Sequence, residues 1–95
     1  MSSATASPDL SVTYDRASDV LYVSRRPGAP ARSREGSPGV VWRYDAERGD
    51  LIGVTIIDFA TYWGQRRPEL AEQIASRLAM SRKEAQAVLD SVGQN

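Results

Sequence analysis

Six carboxylates set among turn-forming residues, Asp15, Asp19, Asp45, Glu47, Asp50 and Asp58, are the side chains best suited to chemistry in this 95-residue chain. Hard cations such as Mg²⁺ or Ca²⁺ take carboxylate oxygens, and a divalent ion held among Asp15, Asp45 and Asp58 would be the clearest mark of an enzyme. Their spacing matches no calcium loop, and Asp in a turn ordinarily accepts hydrogen bonds from nearby backbone amides. The chain has no histidine and no cysteine, so the usual general base, the commonest transition-metal ligand and the thiolate nucleophile are all missing. A serine nucleophile would need Lys83 or a carboxylate to activate it. No glycine-rich phosphate cradle is written in the chain. The expectation is a protein that is not an enzyme, with no metal and no cofactor implied.

Two other groups are suited to contacts. Eleven of the twelve basic residues are Arg, and the guanidinium fork suits carboxylate, phosphate or aromatic partners. Arg25, Arg26, Arg32 and Arg34 lie close together, and Arg66 and Arg67 form a second cluster. These six are the candidate anion or nucleic-acid contacts. Twelve acidic residues balance the twelve basic ones, so no overall field steers the chain toward nucleic acid or an anionic membrane. The aromatics Trp42, Tyr44, Phe59, Tyr62 and Trp63 are the candidate protein interface, because such residues anchor interfaces. Trp42 and Tyr44 serve that role if their strand face is turned away from the helices.

The elements that must position these groups follow from periodicity. Hydrophobic residues at 41% and charged residues at 25% are globular proportions, and the length suits one domain. Residues 1–9 read as a disordered tail, and 10–95 as a single α+β domain. Alternation over residues 10–14 and the segment Asp19-Val-Leu-Tyr-Val-Ser24 predict two strands joined by the turn chemistry of Asp15–Ser18. Residues 25–39 hold three prolines and three glycines and predict a long surface loop with a short extended piece near 31–35. Strands return at 40–44 and 51–58, separated by a turn with Gly49. Residues 59–67 link the sheet to a helical hairpin over 68–93. Pro68 suits a first helical turn, Leu70, Ile74 and Leu78 share one helical face, and Ser81 with Glu84 forms a capping box. The fold expected is an antiparallel meander of about four strands covered by a C-terminal two-helix hairpin.

The strands at 20–23 and 51–57 are apolar on both sides, whereas a sheet with one solvated face alternates. Both faces are therefore expected to be covered, one by the helices and the other by the long loop or a second chain.

Residues 13–58 carry an ordered pattern: Tyr14-Asp15, Asp19-Val20-Leu21-Tyr22-Val23, Ala31-Arg-Ser-Arg-Glu35, Gly39-Val40-Val41, Tyr44-Asp45, and Gly49 through Leu51-Ile-Gly-Val54 to Ile56-Ile57-Asp58. The pattern resembles the DUF2283 family of small bacterial domains of unknown function. The resemblance implies a small antiparallel sheet, carries over no catalytic residue, and suggests an antitoxin-like partner role of the kind attributed to some members. Thr55 stands where the family pattern has Glu. The stretch from Glu69 to Ser91 is similar to the opening helix pair of the bacterial histone-like HU family, without the β-saddle and arms that grip DNA. No run approaches the length of a membrane span, and the first residues lack the basic and apolar parts of a signal peptide. The expected setting is cytoplasmic. The functional expectation is a protein-interaction module, homodimeric or an antitoxin-like partner of another small protein, with a nucleic-acid-associated role through the arginines as the alternative.

Overall fold

A computed structural model describes residues 10–92 of the chain. The tail expected over 1–9 and the last residue of the hairpin expected over 68–93 lie outside the described residues. Five strands form one antiparallel sheet: β1 (Ser11–Asp15), β2 (Val20–Ser24), β3 (Ala31–Glu35), β4 (Val40–Asp45) and β5 (Leu51–Ile57). Two helices follow, α1 (Arg67–Arg77) and α2 (Arg82–Val92). The α+β architecture with a helical hairpin on the sheet is the expected one.

The spatial order β1-β2-β5-β4-β3 departs from chain order. The extended piece near 31–35 is a full strand, so the 25–39 loop reduces to a short crossing segment and a tight turn. From β2 the chain crosses to the far edge, returns through the β3–β4 hairpin, and inserts β5 between β2 and β4. Composition explains the placement. The most apolar strand, LIGVTII, takes the centre, where both of its edges are hydrogen-bonded to neighbouring strands. ARSRE, polar on both faces, takes an outer edge, where charge discourages unwanted strand pairing.

Register decides which residues share a face. Leu21 and Val40 both pair with Ile56, and Val23 and Trp42 both pair with Val54. All six are buried with Leu70, Ile74 and Leu78 of the first helical segment and Ala85, Val88 and Leu89 of α2 in one core cluster. A register shift at Arg43/Tyr44 brings Leu51 opposite Tyr44.

The helical hairpin is closed by local chemistry. Pro68 sits in the first turn of α1. The Glu84 amide donates to Ser81 Oγ, and the Ser81 amide donates to the Glu84 carboxylate, each at 3.0 Å. Ala79 takes a left-handed φ of 55° at the corner. The next amide, of Met80, donates back to the Ala75 carbonyl at 3.1 Å, a closure usually built on glycine.

Candidate functional site

The carboxylates hold turns. Asp15 accepts from the amides of Ala17 and Ser18. Asp45 accepts from the amides of Glu47 (2.8 Å) and Arg48 (2.9 Å) and pairs with Arg26 at 2.7 Å. The Arg48 and Glu47 amides, with Arg26, hold the Asp45 carboxyl below its ordinary pKa despite partial desolvation. Asp15 and Asp45 end strands that run in opposite directions, so they occupy opposite ends of the sheet. The trio Asp15, Asp45 and Asp58 is therefore not brought together. Among the described residues no three acidic side chains converge as a metal site would require.

Asp19 carries the most elaborate polar contacts of the six. Its backbone is left-handed, with φ 59°. Its carboxylate accepts from the Tyr14 hydroxyl (2.7 Å), the Ala60 amide (2.8 Å), the Thr61 amide (3.1 Å) and the Thr61 hydroxyl (2.7 Å). Desolvation pushes its pKa up, but the Ala60 amide, the Tyr14 hydroxyl and both Thr61 donors together pull it down to about 2. The same contact, with some burial, raises the Tyr14 hydroxyl above its ordinary value. Asp19 thus staples the β1–β2 turn to the segment that leaves the sheet. That segment places Phe59 and Trp63 in the core, with Phe59 edge-on to Tyr14 at 5.7 Å.

This geometry corrects the aromatic interface. Trp42, Phe59 and Trp63 are 2–3% exposed. Trp42 pairs with Val54 on the helix-covered face, so the condition that would have turned it and Tyr44 outward is not met. Tyr44 is half-buried beneath Arg77, which donates to its hydroxyl at 3.2 Å. Tyr62 alone of the five is well exposed, and it lies under the Arg66 guanidinium at 4.3 Å.

The arginines divide likewise. Arg25 donates to the Leu78 carbonyl at the end of α1, and Arg26 pairs with Asp45 and, at 3.9 Å, Asp50. Arg66 caps the Tyr62 carbonyl, and Arg67 pairs with Asp90 at 3.5 Å and stacks over Phe59 at 5.4 Å. The structure therefore does not bring the six into one surface. Arg32 and Arg34 lie exposed on β3, and register sets them beside Tyr44 and Trp42 on the helix side of the sheet. Arg77, which the sequence did not single out, sits over the Trp42 ring at 4.9 Å and completes a patch with them.

The other sheet face, expected from the sequence to be covered, carries residues that were not among the candidate interface. Alternation sets Val20 and Tyr22 of β2, Thr55 and Ile57 of β5, and Val41 and Arg43 of β4 on that side. Tyr22 is 43% exposed and Ile57 41%. Thr55 lies at the middle, between Tyr22 and Val41, and its buried hydroxyl has no hydrogen-bond partner. The loop that was expected as a cover reaches only one end. Residues 26–29 flank a cleft of about 280 Å³ with Tyr22, Arg43, Ile52 and Thr55. The non-alternating strands at 20–23 and 51–57 signalled this face, and Tyr22 and Ile57 are the apolar side chains they expose on it. A larger cleft of about 730 Å³, where β1 meets the end of α2, is lined by Val12, Tyr14, Phe59, Arg16 and Arg67 among others. No described helix is long and apolar enough to cross a membrane.

The sequence matches the family model described as "Protein of unknown function (DUF2283)" over residues 11–59, which spans the five strands and ends at Phe59. No curated protein and no solved structure matches the chain.

Proposed function

The chain belongs to the DUF2283 family, and from that premise we propose that it is a non-enzymatic protein-interaction module that docks a second copy of itself through the open face of its sheet. The observation that carries this reading is the apolar row Val20, Tyr22, Val41 and Ile57 on a face that neither helix covers. Exposed apolar patches on small soluble folds mark interaction sites. The charges favour self-association. Asp15 lies at one end of the face, Glu35 level with its middle row and Arg43 toward the other end. A two-fold axis across the strands sets Arg43 of one copy near Glu35 of the next, and a net charge of zero leaves no long-range repulsion. A five-strand face of this length offers about 500 Å² per copy, near the low end for specific association, so the dimer is expected to be reversible.

Light scattering on a size-exclusion column, over protein concentrations from about 10 μM to 1 mM, tests the reading, since interfaces of this size give weak to moderate affinity. A concentration-dependent dimer that Tyr22→Glu or Ile57→Glu makes monomeric, with unchanged circular dichroism, supports it. A native chain that stays monomeric throughout, or variants that dimerise as before, would overturn it. An antitoxin-like role, in which a small foreign protein occupies the same face, predicts the monomer.

A further inference from the structure

We propose that the β3 edge receives an acidic, extended segment of a partner protein, which adds to the sheet as a sixth strand. This edge and the arginines on its helix side are separate from the open face.

The backbone supplies the template. The Gly36 amide donates to the Val40 carbonyl at 2.8 Å, and the Ala46 amide donates to the Pro30 carbonyl at 3.0 Å. With Arg32 opposite Tyr44 and Arg34 opposite Trp42, the even-numbered residues of β3 turn their N–H and C=O groups inward to β4. The N–H and C=O groups of Ala31, Ser33 and Glu35 therefore point outward along the edge. Three residues with free donors and acceptors in register form the ladder that an added strand needs.

The side chains select the occupant. Arg32 and Arg34 stand on one face of the edge, two residues apart, with Arg77 beside them over Trp42 and Tyr44. All three are exposed, and none makes an ion pair with another described residue. Guanidinium groups at this spacing match carboxylates on alternate residues of an extended chain, so the segment recognised is of the form acid-x-acid. A second copy of this chain is a poor occupant. A two-fold antiparallel pairing of β3 about Ser33 sets Arg32 opposite the other copy's Arg34, and like charges directly opposite repel.

The test uses the whole chain and a fluorescein-labelled peptide of about ten residues alternating Thr and Glu, long enough for one strand. The expected result is saturable binding that weakens as salt rises. Hydrogen exchange is expected to slow at the Ala31, Ser33 and Glu35 amides and to stay unchanged at Arg32 and Arg34, which already bond to β4. Ser33→Pro removes only an outward donor, a position where edge strands tolerate proline. It is expected to weaken binding at least tenfold, as is the double variant Arg32→Glu/Arg34→Glu. Absence of binding to the native chain, or protection without the alternate pattern, overturns the proposal. So does undiminished binding by a folded Ser33→Pro chain. A parallel titration with single-stranded oligo-dT separates partner classes. Oligonucleotide binding that displaces the peptide and ignores Ser33→Pro would assign the arginine patch to nucleic acid and refute strand addition.

Discussion

Replacing Asp19 with Asn is expected to cost about 2 kcal/mol at neutral pH, and the cost is expected to vanish in acid. The carboxylate accepts four hydrogen bonds, three of them from residues more than forty positions away in sequence. Asn keeps one acceptor oxygen, and its NH2 group faces donors on Thr61 that then lose their acceptor. A hydrogen bond to a charged group contributes about 1.5–3 kcal/mol. Partial solvent access to this turn brings the loss of two such bonds to about 2 kcal/mol. Backbone strain does not enter, because Asn tolerates the left-handed φ of 59° as Asp does. The folded-state pKa of about 2 lies below the ordinary 3.8. The ionised form therefore stabilises the fold fully above about pH 4, and this contribution fades as pH falls toward 2. Thermal unfolding of both chains from pH 7 to pH 2, followed by circular dichroism, reads the difference. At pH 7 the variant is expected to melt about 8–16 °C lower, given the 4–8 °C per kcal/mol of a domain this size. The gap is expected to close between about pH 4 and pH 2. A gap under about 2 °C at pH 7, or one that persists unchanged at pH 2, would refute the stapling role.

Two further outcomes concern the backbone. Ala79 pays for a left-handed φ of 55° at a helix end where glycine is the usual residue, so Ala79→Gly is expected to stabilise by about 0.5–1 kcal/mol in urea unfolding. A Cβ on Gly53 would lie 2.5 Å from the Val23 carbonyl oxygen and 3.2 Å from Ser24 Cα, both backbone of the neighbouring strand. Gly53→Ala must therefore move β2, and the urea midpoint is expected to fall by an amount equivalent to about 2–3 kcal/mol.

What the sequence discloses and what it withholds divides by range. The Ser81–Glu84 capping box and the Pro68 start involve residues within one helical turn, so their chemistry is written locally and the structure reproduces it. The two-sided apolarity of the strands at 20–23 and 51–57 is also local, and it marks the sheet's centre. The face that Trp42 occupies is set by pairing with Val54 across a register shift at Arg43/Tyr44, which no local pattern encodes. The insertion of β5 between β2 and β4 is a tertiary choice of the same kind. Arg77 joins Arg32 and Arg34 only because folding sets the last turn of α1 against Trp42 and Tyr44 of β4, far away in sequence. Asp19 was visible as a carboxylate in a turn, but its partners Ala60 and Thr61 become neighbours only on folding.

The extent of the family match sharpens the physical problem this chain solves. Residues 11–59 hold the whole sheet but little to cover it. On one face, Leu21, Val23, Val40, Trp42, Val54 and Ile56 are enclosed together with Leu70, Ile74, Leu78, Val88 and Leu89, all from beyond the matched segment. Burying five side chains of that size contributes about 10 kcal/mol, as large as the entire net stability of a small domain. The matched segment therefore has no self-sufficient core in this chain, and the helices complete it. Asp19 and the Phe59 plug stand where the two parts join, which accounts for the density of hydrogen bonds there. The opposite face receives no such complement from residues 60–92, yet β2 and β5 are apolar on that side as well. Ile57 of β5 and Val41 of β4, both turned outward, are what the proposed docking of a second molecule on this face would cover.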